Sequence, residues 1–268
     1  MSVIDRFEHE GVEGVRVGRF NMGVSTTAVA YRFGTTIVDT GPPNQWHAIR
    51  GFLREKTINQ VLITHHHEDH GGNAGHIRRE MGVPVLAPLS GMEYIVQGFP
   101  LRPYQRIFWG KPHRFEPEAV PDEIELGERF RLRALHTPGH SVDMTCYLEP
   151  DRGWLFSGDV FIGVKPRYLR ADEDLSNEIE SLRYILRYDF GILFCAHNGL
   201  TLNGRQAIQD KLDYLELLRD RARALHKEGR SKDEITRMLV GKEGPITWVT
   251  LYHFSKRNLI EGCLAPEG

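Results

Sequence analysis

Residues 61–72 read Val-Leu-Ile-Thr-His-His-His-Glu-Asp-His-Gly-Gly. Four of the chain's 13 histidines and two carboxylates fill positions 65–70, directly behind an apolar run. Side chains of an extended segment alternate between faces. His65 and His67 therefore point one way and His66 the other. Once the strand ends and the chain turns, Asp69 and His70 can swing to the side of His65, and Gly71-Gly72 suits a tight turn into the next element. Three imidazoles and one carboxylate then converge without a thiolate, a donor set suited to a transition metal. His66 and Glu68 fall off this frame and read as solvated or structural.

Further donors follow apolar runs in the same way, which is where strand ends open onto a cleft. "HTPGHS" supplies His140, "FSGDVF" supplies Asp159 and "FCAHNG" supplies His197. The surrounding pattern alternates strand and helix. Short strands are expected over 12–40, a helix over 44–56, a buried strand over 58–64, a helix over 71–82 and a strand over 83–88. Strands return over 123–141, with a turn at Leu126-Gly127, and a hairpin over 145–161. A helix over 172–188 and a strand over 190–199 come next. From about 204 the pattern is helical, and Ser231 and Glu234 stand in capping-box spacing. The chain is thus divided into a domain over 1–203 and a C-terminal helical segment over 204–268.

The order His65-x-His67-x-Asp69-His70, then His140, Asp159 and His197, resembles the metallo-β-lactamase fold superfamily of metal-dependent hydrolases. The likeness runs over residues 12 to about 200 and includes Ile37-Val38-Asp39-Thr40-Gly41. It implies an α/β fold, a four-layer αββα sandwich with the site along one edge of the paired sheets. It further implies that His65, His67 and His140 bind one metal, that Asp69, His70 and His197 bind a second, and that Asp159 bridges them. Zinc is the default for such donors in a hydrolase, with iron or manganese also suited. Two such cations would hold a water between them and lower its pKa from about 16 towards about 7. Asp69 is the candidate catalytic group, orienting that water or carrying its proton. Asp39 is a candidate partner for a ligand histidine. The bridging acid, and the absence of a cysteine from the first motif, separate the chain from true β-lactamases of this fold.

Two substrate classes stay open. One is a small ester, lactone or thioester; the other is a phosphodiester or nucleic acid. A third reading is a non-catalytic metal-binding scaffold. Residues 92–121 hold five of the 14 prolines together with Tyr94, Phe99, Tyr104, Phe108 and Trp109, which suits a lid or a substrate-facing loop as well as a surface excursion. A narrow apolar pocket lined by Phe108 and Trp109 would favour a small acyl substrate; a long basic groove would favour nucleic acid. Arg102, Arg106, Lys111, His113 and Arg114 can grip an anion or simply be solvated. The basic stretch 219–232 is equally explained as a solvated helix face, and the net charge of −2 argues mildly against a polyanionic partner without excluding nucleic acid. His136 reads as a structural histidine, His253 as a core or surface residue that could reach the cleft if the terminal helix packs there, Cys195 as a core thiol, and Tyr168 as a minor oxyanion-donor candidate. Three widely spaced cysteines, a charged N-terminus and the lack of a long apolar run suit the cytoplasm rather than a membrane. Oligomeric state is not legible.

Overall fold

The computed structural model describes residues 3–22, 26–126 and 130–266. Strands β1 (Val3–His9), β2 (Val12–Val17), β3 (Ala28–Phe33) and β4 (Thr36–Val38) form an antiparallel meander. Helix α1 (Trp46–Leu53) then crosses over to β5 (Gln60–Leu62), and α2 (Ala74–Met81) crosses to β6 (Val85–Ala87); both strands add in parallel. Helices α3 (Met92–Gln97) and α4 (Pro103–Phe108) follow, and β7 (Glu118–Ala119) closes this seven-stranded sheet. The proline-rich stretch over 92–121 therefore carries two short helices and an edge strand.

The second sheet begins with β8 (Glu123–Leu126), β9 (Phe130–His136), β10 (Thr145–Glu149) and β11 (Trp154–Gly158), all antiparallel. The turn expected at Leu126-Gly127 falls largely on residues outside the described ones. After the short β12 (Leu169–Arg170) and helix α5 (Leu175–Ile185), β13 (Ile192–Cys195) joins β11 in parallel, and β14 (Gly199–Thr201) completes six strands. Helices α6 (Gly204–Lys227), α7 (Lys232–Leu239) and α8 (Pro245–Val249) lead to β15 (Phe254–Ser255), which pairs with β12, and to α9 (Lys256–Leu264). Among the described residues no helix is long and apolar enough to cross a membrane.

Alternation along the strands sorts the core into three clusters, and these define the layers. Tyr31, Phe33, Leu62, Tyr147, Trp154, Phe156 and Phe194 fill the space between the sheets. Ala30, Ile37, Val61 and Ile63 face the other way, onto Ile49 and Phe52 of α1 and Ile77 of α2. Cys146, Leu148, Leu155, Leu193 and Cys195 face onto α5, α6 and α9. The result is the expected αββα sandwich. Because both faces of the central strands are covered, β3 and β11 are buried at every position and read as mostly apolar runs, with Arg32 of β3 paired to Glu13. The 203/204 division falls between β14 and α6, and one apolar cluster crosses it, joining Leu193 to Ile208, Leu215 and Leu259. Part of the basic stretch lies within this packing: Arg219 is buried, and Arg223 donates to the carbonyls of Cys263 and Ala265.

The loop between β5 and α2 is locked to the loop after β4. Thr40 N and Oγ1 both donate to the His70 carbonyl, at 2.7 and 2.8 Å, and the Asn73 amide donates to the carbonyls of Thr40, Gly41 and Pro42. Gly72 sits where these loops touch, and a Cβ there would lie 2.1 Å from the Glu68 carbonyl oxygen and 2.7 Å from that of Gly41. At Gly71 the nearest atom would be 3.5 Å away, on Ile63. The two neighbouring glycines therefore differ. Gly72→Ala should destabilise the fold by about 1–3 kcal/mol, the usual range for overpacking. Gly71→Ala should be close to neutral. Chemical denaturation of the two variants checks this contrast.

Candidate metal centre

All seven donors read from the sequence meet at one edge of the sandwich. Each follows a strand: Asp69 and His70 lie past β5, His140 past β9, Asp159 past β11 and His197 past β13. His65 Nε2, His67 Nδ1 and His140 Nε2 converge, with His67 Nδ1 at 2.9 Å from the first and 3.1 Å from the last. His197 Nε2 lies 3.5 Å from Asp69 Oδ2, and His70 Nε2 lies 3.9 Å from Asp69 Oδ1. Asp159 sits between these groups, 3.3 Å from His140 Nε2, 3.2 Å from His197 Nε2 and 3.4 Å from His70 Nε2. Three sets of three ligand atoms each fall within 4.8 Å of one another: His65–His67–His140, His65–His70–Asp159 and Asp69–His70–His197.

Four of these rings are aimed by a partner on the far nitrogen. His70 Nδ1 donates to Asp39 Oδ2 at 2.8 Å, His140 Nδ1 to Glu173 Oε1 at 2.7 Å, His197 Nδ1 to the Thr27 carbonyl at 2.6 Å and His65 Nδ1 to Thr64 Oγ1 at 3.1 Å. Anchoring of this kind fixes the tautomer and turns the other nitrogen inward. Asp39 is itself held in the left-handed region at φ 58°. Its Oδ1 accepts from the Thr64 backbone N–H at 2.8 Å, tying β4 to β5. Sequence reading had named Asp39 as a partner but not Glu173, Thr64 or Thr27. Glu173 and Thr64 have no motif of their own, and a backbone carbonyl leaves no trace in side-chain identity.

The centre's electrostatics suit cations. His70 Nε2 and Asp159 Oδ1 are buried without a hydrogen-bond partner despite their 3.4 Å separation. Burial, followed by the neighbouring imidazoles, holds His65 well below the usual histidine range. Burial, then the Arg170 guanidinium, does the same to His67. Their facing nitrogens are lone pairs aimed at one point. At His70 burial is outweighed by Asp159, Asp39 and Asp69, and the ring is held well above its ordinary range. The same balance against Asp159 and Asp69 lifts His197 to about 9. Burial alone would raise the Asp159 carboxyl, but His197, His70 and His140 overcome it and hold it well below the carboxylate range. The residues thus fit metal ions: His65 and His67 offer neutral imidazoles, while His70 and His197 are held charged beside Asp159 and Asp69, where a metal ion can replace that charge.

The remaining candidates sort clearly. His66 is structural, donating its backbone N–H to Asp143 Oδ2, pairing its ring with Asp143 Oδ1 at 2.7 Å and stacking on Tyr94. Glu68 is not solvated. It is 2% exposed, and burial followed by Asp69 raises its carboxyl to about 7. Cys195 is a core thiol that donates to the Phe161 carbonyl, its pKa pushed up to about 11 by burial. His136 is exposed, and Tyr168 packs beside Lys256 away from the donors. His253 is buried and also reaches the cleft, the alternative open to it if the terminal segment packs there. That cleft has a volume of about 380 Å³, and Tyr94, Phe99, Leu101, Arg170 and His253 line it beside His67 and His140. Phe108 and Trp109 do not form its wall. Phe108 packs on Phe20, and Trp109 is buried with its ring 6.4 Å from that of His197.

A family model described as "Metallo-beta-lactamase superfamily" matches residues 21–197. The chain belongs to the metallo-beta-lactamase superfamily. The hydrolase class read from the donor order goes with that membership. Among curated proteins, "Lactamase-like protein nscB" of Arthroderma gypseum is 28% identical over 91% of this chain and 73% of its own length. "Atrochrysone carboxyl ACP thioesterase MYCFIDRAFT_190111" of Pseudocercospora fijiensis is 31% identical over 72% of this chain and 52% of its own length. An "Atrochrysone carboxyl ACP thioesterase" of Aspergillus fumigatus is 28% identical over 66% of this chain and 51% of its own. The chain thus spans about half the length of the thioesterase-named relatives. Among solved structures, a beta-lactamase domain protein from Burkholderia ambifaria aligns with TM-score 0.72 at 18% identity, covering 97% of this chain and 87% of its own. A metallo-beta-lactamase family protein from Thermus thermophilus aligns with TM-score 0.67 at 19% identity, covering 96% and 91%. These two likenesses concern the fold, and they extend over the C-terminal helices.

Because ligands bind metal only when deprotonated, the two donor sets should load differently. At pH 7, His65 and His67 are already neutral, whereas His70 and His197 must each give up a proton. Zinc titration of metal-free protein in weak buffer should therefore release few protons with the first equivalent and about two with the second. Affinity for the second equivalent should rise with pH up to about 9, where His197 titrates. Asp39→Asn should weaken zinc binding about 10–100-fold, the usual effect of losing a ligand's outer partner. Calorimetry with proton-release detection checks all three outcomes.

Proposed function

We propose that the chain is a dinuclear metal-dependent hydrolase acting on a small thioester. The observation that carries this reading is the place of Asp159, within 3.4 Å of donors from both histidine sets. In this reading His65, His67 and His140 hold one divalent ion, most simply zinc, Asp69, His70 and His197 hold a second, and Asp159 is shared. Such ions, when bound, supply activation of a water and polarisation of a carbonyl. The chain's own residues do the rest. Asp69 turns one oxygen towards His197 and the other towards His70, so it can orient a water and take its proton on the free oxygen lone pair. Tyr94, Phe99 and Leu101 offer an apolar wall against which an acyl group can lie with water excluded.

The thioester substrate class draws on the names of relatives that match over 66–72% of this chain. A phosphodiester substrate has less support. Arg219 and Arg223, from the basic stretch that would serve it, are engaged in packing the C-terminal helices. The test is a comparison of model thioesters, lactones and bis-p-nitrophenyl phosphate, with protein reconstituted in zinc, manganese or iron. Thioesters should be turned over fastest; preference for the phosphodiester would overturn the reading. His67→Ala should keep the fold by circular dichroism and lower kcat/KM by more than the about 10–100-fold that loss of an outer partner costs. Undiminished turnover in that variant would overturn the metal-dependent reading.

A further inference from the structure

One wall of the cleft carries a permanent cation that the hydrolytic reading does not use. Arg170 is 8% exposed, and its Nη1 lies 3.2 Å from His67 Nδ1, a nitrogen assigned above to a metal. Placing a guanidinium beside a cation site is unfavourable unless an anion separates them. Asp172 does not separate them. It sits on the far side, accepting from Arg170 Nε at 3.0 Å and from Nη2 at 2.9 Å.

Hydrogen-bond accounting points the same way. A guanidinium has five N–H donors. Two go to Asp172 and one faces His67 Nδ1. When the His67 lone pair is committed to a metal, the facing N–H loses its acceptor. A buried donor then lies on the cleft wall next to the reacting centre and needs an oxygen, preferably a charged one.

The guanidinium is held for this purpose by three separate segments. Asp172 Oδ1 accepts from His253 Nε2 at 3.1 Å, and His253 Nδ1 accepts from the Tyr104 hydroxyl at 2.6 Å. Tyr104 comes from α4, and His253 directly precedes β15, which pairs Phe254 with Arg170. The residues before His253, Leu251 and Tyr252, both adopt left-handed backbone at φ 51° and 63° although neither is glycine. Their side chains are 73% and 50% exposed, so their own packing does not account for that bend. Its effect is to aim His253 at Asp172, the kind of local strain found at functional positions. Glu173 completes the frame, accepting from the Arg170 backbone N–H at 2.9 Å through one oxygen and from His140 through the other.

We infer that Arg170 is a specificity-determining residue that receives a carboxylate carried by the acyl group close to the scissile carbonyl, with Asp172, His253 and Tyr104 as its positioning residues. The preferred substrates are then short acyl thioesters of the malonyl type rather than their neutral acetyl counterparts. This deepens the thioesterase reading and rests on it for the reaction, though not for the binding of the anion.

The probes are S-malonyl- and S-acetyl-N-acetylcysteamine for turnover, and free malonate and acetate for calorimetric binding to zinc-loaded protein of measured metal content. Wild-type protein should favour the malonyl thioester, and Arg170→Gln should lower the malonyl-to-acetyl ratio of kcat/KM about 10–100-fold, the range of a charge-assisted hydrogen bond. Arg170→Lys should recover part of that ratio. Malonate affinity should fall by a similar factor in Arg170→Gln, with acetate affected less. His253→Gln and Asp172→Asn should shift the ratio in the same direction by a smaller factor, through KM more than kcat. They serve as the test if Arg170→Gln does not fold. An unchanged ratio together with unchanged malonate affinity would overturn the inference, including the case in which both thioesters slow equally. If no thioester is turned over but malonate binding still depends on Arg170, the hydrolytic reading fails and the anion site stands.

Discussion

The structure depends on burying lone pairs. At one edge of the sandwich, seven side chains with strong affinity for cations are turned away from water, and three imidazole nitrogens approach one another at about 3 Å. Protein atoms alone do not satisfy this arrangement, as the unpartnered His70 Nε2 and Asp159 Oδ1 show. What makes it tolerable in the fold is the anchoring of the far nitrogens to Asp39, Glu173, Thr64 and the Thr27 carbonyl. The polar cost is thereby confined to the atoms that a metal would occupy. The layers behind the site are apolar, with Tyr31, Leu62 and Tyr147 buried in the space between the sheets. Rigid support of this kind is what a preorganised centre requires.

The position of the centre follows from strand direction. Donors lie past the C-terminal ends of β5, β9, β11 and β13, and Asp39 lies past β4. Within each sheet, the switch from antiparallel to parallel pairing occurs beside these strands, at β4–β5 in one and β11–β13 in the other. Loops that leave parallel neighbours at the same edge diverge, and the cleft forms between them. The strands before the first motif, Asp159 and His197 are mostly apolar and buried, whereas β9, before His140, carries Arg131 and Arg133 and is only partly buried.

That relation explains what was legible in the sequence. All seven donors could be named because each is a polar residue at the end of an apolar run, and their order matches one superfamily. The sandwich and most strands were readable for the same reason. The first strand was not. Its sequence, Val-Ile-Asp-Arg-Phe-Glu-His, has no regular alternation, and at this edge of the sheet Asp5, Arg6 and Glu8 are exposed. The aromatic wall was misplaced because the stretch over 92–121 offers several aromatics, and its two short helices decide which of them point inward. Tyr94 and Phe99 face the cleft, whereas Phe108 turns to Phe20. Arg170 and Glu173 carried no signal at all. Their roles come from a four-residue turn meeting β9 and the C-terminal segment in space.

The C-terminal segment shows why fold and specificity are coupled here. Leu215, Ala222, Leu259 and Cys263 complete the apolar cluster that backs the second sheet, so the segment is part of the same core as the strands bearing Asp159 and His197. It also supplies His253, far downstream of His140 in sequence yet on the same cleft wall. The seven candidate donors all precede residue 198, whereas this wall draws on Arg102 and Gln105, on Arg170 and Asp172, and on His253 just before β15. Substitutions over 204–268 can therefore retune what lies against Arg170 while leaving every donor in place. A superfamily that keeps one centre and varies its substrates needs this separation. In this chain His67 and Arg170, 3.2 Å apart, join the donor cluster to that wall, and Glu173, which accepts from the Arg170 backbone N–H and from His140, joins them a second time.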